Sequence, residues 1–534
     1  MKQLIPILLI ALALNLISCS KESKLQPTLN QTHESQVIAE REASNADDSA
    51  TGQGSFPTPS LPNQGGIIEQ ETPTKESWAW LETNGSPYST ASIDVDTASY
   101  TLFRGCANRG GGINPEAIRI EDFLNYFPYA YAAPSDDKII KVHQELVDSP
   151  YTKGALLLRV GLKAKELENP IAGKNLVFLV DVSGSMADED KLPLVKASLK
   201  TLTNSLTEKD SISLVTYANG AAVVLPATQG SEKAVIKSAI DKLGAGGGTN
   251  GASGIAQAYG IAAKQFISGG VNRVILTTDG DFNIGVRGTD ELVKLMKEKS
   301  DLSIFLTIMG FGLVANDNLM ENVAKDGNGN YFFIDSINEI EKVVNKDLKA
   351  NLETLAKDVK VQLEFNPRLV KSYRMVGYVN RQLADKDFND DKKDAGDLGS
   401  GQSVTYLYEI QLRAAGESAQ LAYTKGEGID PLTYQDANVL SAAAAKNELG
   451  TLKIRFKNPE GLVSAKFDEA LSPLVATKVS PDTAFQVAVA GAALKLKGIE
   501  IAASTALIKD QLKQTVGEDD LRKEFLSLIE IHLK

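Results

Sequence analysis

The sequence predicts an α/β protein: a doubly wound, mostly parallel six-stranded sheet with helices on both faces, joined to a β-rich flanking domain and C-terminal helices. Three observations carry this. Short apolar runs alternate with helix-period segments from residue 172 to 351, the pattern of a parallel sheet with crossover helices. Period-two alternation appears on both sides of that stretch, at 139–146 and 155–162 before it and at 359–365, 404–412 and 451–456 after it. Ser480-Pro481-Asp482 then opens a helix, as a capping serine followed by proline does.

Within 172–351, NLVFLVDV at 175–182 is a near-continuous apolar run, as a strand buried on both faces requires. A helix follows with Leu192, Val195, Leu199, Leu202 and Leu206 on one face. Residues 211–217 and 221–225 read as strands joined at Asn219-Gly220, a tight hairpin signal. Ser231 is positioned to cap a helix carrying Ile236, Ile240 and Leu243, and a further helix spans about 251–266. RVILTT at 273–278 is another buried strand, and Thr289 heads a helix with Leu292, Val293 and Met296. Strands at 302–309 and 331–334 and a closing helix at 337–348 complete the set. One antiparallel hairpin in an otherwise parallel sheet gives the expected order 3-2-1-4-5-6. The alternating segments on either side are expected to form one β-rich domain into which the parallel sheet is inserted, followed by helices at about 481–497 and 517–533.

Composition narrows the chemistry. The net charge is −12 with no long basic run, which argues against nucleic acid as a partner, since phosphate binding needs clustered Lys and Arg. Only His33, His143 and His532 occur, far apart in sequence, so a Ser-His-Asp triad or a His-rich zinc site is hard to assemble. Two cysteines, Cys19 and Cys106, cannot make a disulfide scaffold or a four-Cys metal site.

The first residues carry an address. Lys2 precedes an apolar run from Leu4 to Ile17, shorter than the roughly 20 residues a membrane-spanning helix needs but suited to a secretory signal. Leu16-Ile17-Ser18-Cys19 resembles a bacterial lipobox, in which the cysteine is acylated and becomes the new N-terminus. By resemblance to Gram-negative sorting rules, Ser20 at the next position implies the outer membrane, with the periplasmic or surface face left open. The polar stretch from 20 to 86 lacks the apolar surface needed to offset its chain entropy and reads as a disordered tether.

The winding of such a sheet reverses between its first and fourth strands, and ligands bind beyond the carboxyl ends there. Asp181 ends the first strand, with Ser183 and Ser185 on the turn after it (Asp181-Val182-Ser183-Gly184-Ser185). Asp279 ends the fourth, and Thr249 follows the Gly246-Gly247-Gly248 loop. Two carboxylates and three hydroxyls therefore converge on one crevice. They are hard oxygen donors without nitrogen or sulfur, the preference of Mg²⁺, with Mn²⁺ or Ca²⁺ as alternatives. A Glu or Asp from a protein partner would complete the coordination.

These five residues, in this order and on these elements, resemble the metal-ion-dependent adhesion site of von Willebrand factor type A domains. The resemblance implies direct coordination by Ser183, Ser185 and Thr249, with Asp181 and Asp279 acting directly or through water. The segments SIDVDTASY at 92–100, IRIEDFLNYFPY at 118–129 and DFNDDKKDAG at 387–396 resemble a bacterial family of exported type A-domain proteins with characteristic regions on both sides of the domain. The organisation expected is a lipoprotein signal at 1–19, a tether at 20–86, an N-terminal flank at 87–171, the type A domain at 172–351 and a C-terminal flank at 352–534.

The expected role is a metal-dependent binding module, or else an envelope protein whose metal only stabilises the fold. A third reading is weaker. Asp94-Val95-Asp96-Thr97 has the DxDxT form of a phosphotransferase nucleophile motif, but only a short apolar stretch precedes it. The acidic stretch 385–397 lacks the glycine and closing glutamate of a calcium-binding EF-hand loop.

Overall fold

A computed structural model describes residues 78–533, apart from 168–172, 281–293, 295, 301, 313–316, 328, 460 and 462. The signal segment with Cys19, most of the tether, and the helix start at Thr289 with Leu292 and Val293 lie outside the described residues.

The chain opens with β1 (Leu81–Glu82), β2 (Tyr88–Ser92), helices α1 (Ala98–Asn108) and α2 (Ile120–Tyr126), then β3 (Ile140–Asp148) and β4 (Leu156–Ala164). The α/β unit runs β5 (Lys174–Asp181), α3 (Leu192–Ser205), β6 (Ser211–Tyr217), β7 (Ala221–Gln229), α4 (Lys233–Asp241), α5 (Gly251–Lys264), β8 (Val271–Thr278), β9 (Ile304–Phe311), α6 (Asp317–Asp326), β10 (Tyr331–Ile334) and α7 (Ile337–Lys342). After a π turn at Val343–Asp347 come α8 (Leu348–Leu352), β11 (Thr354–Phe365), β12 (Val370–Met375), β13 (Leu398–Gly399) and β14 (Ser403–Leu412). The short pair β15 (Gln435–Asp436) and β16 (Val439–Leu440) precedes β17 (Gly450–Lys457), β18 (Ser464–Leu471) and helices α9 (Pro481–Leu496), α10 (Thr505–Thr515) and α11 (Asp520–His532).

The central sheet has the order β10-β9-β8-β5-β6-β7, parallel throughout except for the edge strand β7. This is the expected order. Leu176–Val180 of β5 are wholly buried because helices cover both faces. Strand β7 extends to Gln229 through Pro226, which an edge strand tolerates because a missing N–H costs no ladder bond there. Ser231 does not cap α4; Glu232 holds that position without a side-chain hydrogen bond, so this expectation is corrected.

The flanks form two antiparallel sheets, β1-β12-β14-β4-β3 and β13-β11-β17-β18, with β2 also pairing β11. Strand β4, before the central sheet in sequence, pairs with β14 after it, Val160 opposite Tyr406. Strand β2 likewise pairs with β11, Ala91 opposite Val361. The central unit is thus inserted between strands of one sandwich, whose core includes Leu158, Leu162, Leu363, Tyr373 and Ile454.

Residues 78–86, read from composition as tether, belong to the fold. β1 pairs with β12, Thr83 is buried and donates to the carbonyl of Val370, and the rings of Trp78 and Trp80 lie 3.9 and 4.6 Å from the Arg374 guanidinium. The tryptophan faces on this guanidinium, with the strand pairing, hold the segment against the sheet.

A helical layer completes the molecule. Helix α9 is apolar all round and buried from Phe485 to Leu494, as a helix covered on every side should be. Phe485 and Phe525 pack with Tyr100, Phe123 and Phe127 from α1, α2 and the turn after α2. Helix α10, with Ile508 and Leu512 buried, was not foreseen between the two expected C-terminal helices. Buried charge ties this layer to the central unit: Arg104 of α1 donates to Asp335 and Glu339 beyond β10, and to Glu524 of α11.

Candidate metal centre

Strand β5 ends on Asp181, whose side chain is fully buried under the turn that follows. Its Oδ1 accepts the backbone N–H of Ser183 at 2.9 Å. Its Oδ2 accepts the Tyr217 hydroxyl of β6 at 2.9 Å and the Thr278 hydroxyl of β8 at 3.2 Å. One carboxylate thus holds the ends of the three middle strands. Burial raises the Asp181 carboxyl above its usual range, opposed by the hydrogen bonds from Ser183 and Tyr217.

The turn bends over as Gly184–Ala187, and the Ser183 and Ser185 hydroxyl oxygens lie 3.0 Å apart. Ser183 is buried while Ser185 is exposed. The glycine loop before α5 is pinned against this turn: Gly184 N–H donates to Gly247 O at 3.0 Å and Gly246 N–H to Val182 O at 2.7 Å. Asn219, in the β6–β7 turn, accepts the Gly248 N–H at 2.6 Å, and Asn250 N–H donates to Ala218 O at 2.7 Å. Half-buried Thr249 therefore sits between two anchored backbone groups at the same edge of the sheet.

Asp279 follows β8 and is buried. It is connected to the serine turn by Lys191, whose ammonium donates to Asp279 Oδ2 at 3.1 Å and to Ser185 O at 2.9 Å. Burial alone would lower the Lys191 pKa, but the bond to Asp279 and the nearby Asp188 outweigh it and raise it. Lys191 escaped the sequence reading because a lone lysine before a helix gives no periodic or motif signal.

The donor set is all oxygen, with two carboxylates and three hydroxyls. Adjacent ligands of an octahedral cation with metal–oxygen distances of about 2.0–2.1 Å are separated by about 2.8–3.0 Å, and the two serine oxygens, hydrogen-bonded to each other at 3.0 Å, lie at the upper end of that range. The lysine ammonium against Asp279 shows independently that the crevice accepts positive charge. These residues suit a hard divalent cation.

Asp94 and Asp96 have another employment. Both are buried, and Arg381 donates to Asp94 at 2.8 Å and to Asp96 at 3.0 Å while also reaching Glu321 at 3.2 Å. Arg119 pairs with Asp122 and Glu321, each at 3.1 Å. Burial and the adjacent Asp94 push Asp96 up to about 7, against Arg381. Asp94, Glu121 and Asp122 offer oxygens within 4.8 Å of one another, but with Arg381 on Asp94 and Arg119 on Asp122 they form an ion-paired junction between the flanks and the central unit. Asp94, the first carboxylate of the DxDxT stretch, is thus held in a buried ion pair.

Comparison with known proteins agrees with this architecture. The von Willebrand factor type A domain profile matches residues 175–346, a profile described as von Willebrand factor matches 72–159, and that of "Uncharacterized protein YfbK, C-terminal" matches 350–533. YfbK of Escherichia coli K12 is 40% identical over 459 residues, covering 84% of this chain and 78% of that protein. The chain belongs to the YfbK family. More distantly, human inter-alpha-trypsin inhibitor heavy chain H3 is 23% identical over 275 residues, which cover 47% of this chain and 30% of that one. Among solved structures, a von Willebrand factor type A protein from Catenulispora acidiphila aligns with a TM-score of 0.41 and 17% identity over 73% of this chain and 90% of its own. Like other members of the type A domain class, this family member carries an α/β unit of the kind associated with protein interaction and divalent metal.

Proposed function

We propose that the chain is a metal-dependent protein-binding module of the cell envelope. In this reading Ser183, Ser185 and Thr249 hold a divalent cation directly, and Asp181 and Asp279 do so directly or through water. When bound, the ion supplies an electrophilic position that an Asp or Glu of a partner protein can fill. Mg²⁺ fits this hard oxygen set best, with Mn²⁺ or Ca²⁺ as substitutes. The observation that carries the proposal is the 3.0 Å pair of serine hydroxyls beside buried Asp181 and Asp279 at the switch point of the sheet.

The residues around the crevice are arranged to bind rather than to react. Asp181 is occupied by three donors, and the Lys191 ammonium is engaged with Asp279 and Ser185. His143, the histidine within the sandwich, shares a hydrogen bond with Ala132 O and stacks on Tyr131. No nucleophile, base and orienting group come together at the crevice among the described residues.

One observation favours a second reading, in which a bound ion only stabilises the fold: Asp181 joins β5, β6 and β8 through its own hydrogen bonds. The two readings separate on partner capture. Wild type and Asp181→Ala are used as bait against the native envelope fraction, with Mg²⁺ or with chelator. Capture by wild type in Mg²⁺ alone supports the binding module, and capture unchanged by chelator and by the substitution refutes it.

We also propose that Cys19 carries lipid and anchors the chain, at the outer membrane by the Ser20 rule. No helix among the described residues is long and apolar enough to cross a membrane. Cys19→Ala should abolish acyl labelling and release the protein from the membrane fraction; labelling that persists would remove the anchor from this cysteine.

A further inference from the structure

Lys191 occupies an unusual place. It is the residue preceding α3, its side chain is 12% exposed, and its ammonium lies within reach of Ser185 O, Asp279 Oδ2 and, at 3.6 Å, Asp188 Oδ2. The aliphatic stem runs over Gly312, just beyond β9. A Cβ there would lie 2.6 Å from Lys191 Cε and 3.1 Å from Cγ, and Gly312 has φ +74°. The position therefore has no room for a side chain while Lys191 lies across it. One lysine thus joins the serine turn, the end of β8 and the segment after β9 at the carboxyl edge of the sheet.

We infer that Lys191 is a built-in cation that competes with the divalent ion for Asp279, so that metal entry expels the lysine ammonium from the crevice. The inference rests on the metal site proposed above. Both cations require the same carboxylate, and the ammonium also holds the backbone oxygen of Ser185, a residue whose hydroxyl belongs to the proposed donor set. Two positive charges on one carboxylate repel each other, and more strongly beside a buried group such as Asp279 than in open water. The binding of one cation is therefore linked to the release of the other, and the lysine lowers the apparent affinity for metal. Expulsion also lifts the stem from Gly312, so that metal occupancy changes the packing just beyond the end of β9.

The test uses the full folded chain and the metals Mg²⁺ and Mn²⁺ alone. Calorimetric titration compares wild type with Lys191→Met, which keeps the stem and deletes the charge, and with Lys191→Arg, which keeps the charge. Lys191→Met should bind metal about fivefold or more tightly, with Lys191→Arg close to wild type. Metal binding by wild type with equal or weaker binding by Lys191→Met overturns the inference and leaves the metal site standing. Absence of binding in both overturns the site and the inference together, whereas binding by Lys191→Met alone supports the competition in its strongest form. A second measurement needs no variant. Brief acylation of wild type, read at Lys191 by mass spectrometry, should proceed faster in Mg²⁺ than in chelator; equal rates would mean the ammonium stays in place.

Discussion

The guanidinium of Arg104 holds the carboxylate of Asp335 by two hydrogen bonds, 2.8 Å from Nε and 2.6 Å from Nη2, and so fastens the first flanking helix to the end of the last central strand. The same group donates to Glu339, and Tyr126 supplies a further hydroxyl to that glutamate. Arg104→Met should leave two buried carboxylates without their cation. Removing one partner of a buried ion pair costs about 3–5 kcal/mol, so the urea midpoint should fall markedly. Arg104→Lys should recover only part of the loss, since an ammonium cannot reproduce the two-point grip.

At the crevice, Asp181→Asn preserves size while removing charge. Wild type should gain roughly 2.7 kcal/mol when Mg²⁺ exceeds its Kd a hundredfold, seen as a rise in Tm that chelator reverses. In Asp181→Asn the melting curves with Mg²⁺ and with chelator should coincide. A Mg²⁺-induced rise as large as that of wild type would exclude Asp181 from metal binding.

Gly254 in α5 lies against Tyr217, the residue that holds Asp181. A Cβ there would be 2.9 Å from Tyr217 Cβ and 3.0 Å from Leu179 Cδ1. Alanine in a helix interior gains up to about 1 kcal/mol over glycine, while overpacking a tight core costs about 1–3 kcal/mol. Because Tyr217 Cβ cannot swing away as a side-chain tip could, the cost should win. Gly254→Ala is expected to unfold at lower denaturant than wild type, and a stabilised variant would show that α5 can shift freely from the sheet.

Asp397 gives the molecule a pH response. Burial pushes its carboxyl up to about 7, with repulsion from Asp358 adding to it, while the backbone N–H of Asp358 pulls the other way. The folded state therefore holds a proton that the unfolded chain has already lost. Its stabilising contribution is complete below the unfolded pKa near 4 and disappears as pH rises through about 7. Stability should decline over that interval by at most about 1.4 kcal/mol per pH unit for this one proton. Urea titrations from pH 4 to 8 should be visibly flatter for Asp397→Asn than for wild type; equal slopes would place the proton elsewhere.

Much of this structure was legible from local pattern. The strand Ser211–Tyr217 and the short strand Tyr331–Ile334 coincide with their apolar runs, because burial on both faces leaves few alternatives. Asp181, Ser183 and Ser185 were legible because a strand end and a two-residue spacing bring them onto one turn. The closing helix was legible only in outline, since Val343–Asp347 winds as a π turn inside it. Pairings across hundreds of positions left no local trace: Arg104 with Asp335, Arg381 with Asp94, and Trp78 with Arg374 each join segments that composition treats separately. Lys191 belongs with these, since its meaning comes from Asp279, 88 positions away.

The pairing of β4 with β14 has a consequence for the order in which the molecule can be made. Leu158 must await Tyr408 as its cross-strand neighbour. At about 5–20 residues per second of synthesis, the delay is roughly ten to fifty seconds. During it β4 has β3 beside it but lacks β14, and every strand of the central sheet, from Lys174 to Ile334, emerges before β14 does. The central unit can therefore assemble first and bring the two severed halves of the sandwich toward each other, shortening the loop that the late strands must close. The inserted domain is, in this sense, the scaffold on which its own host completes folding.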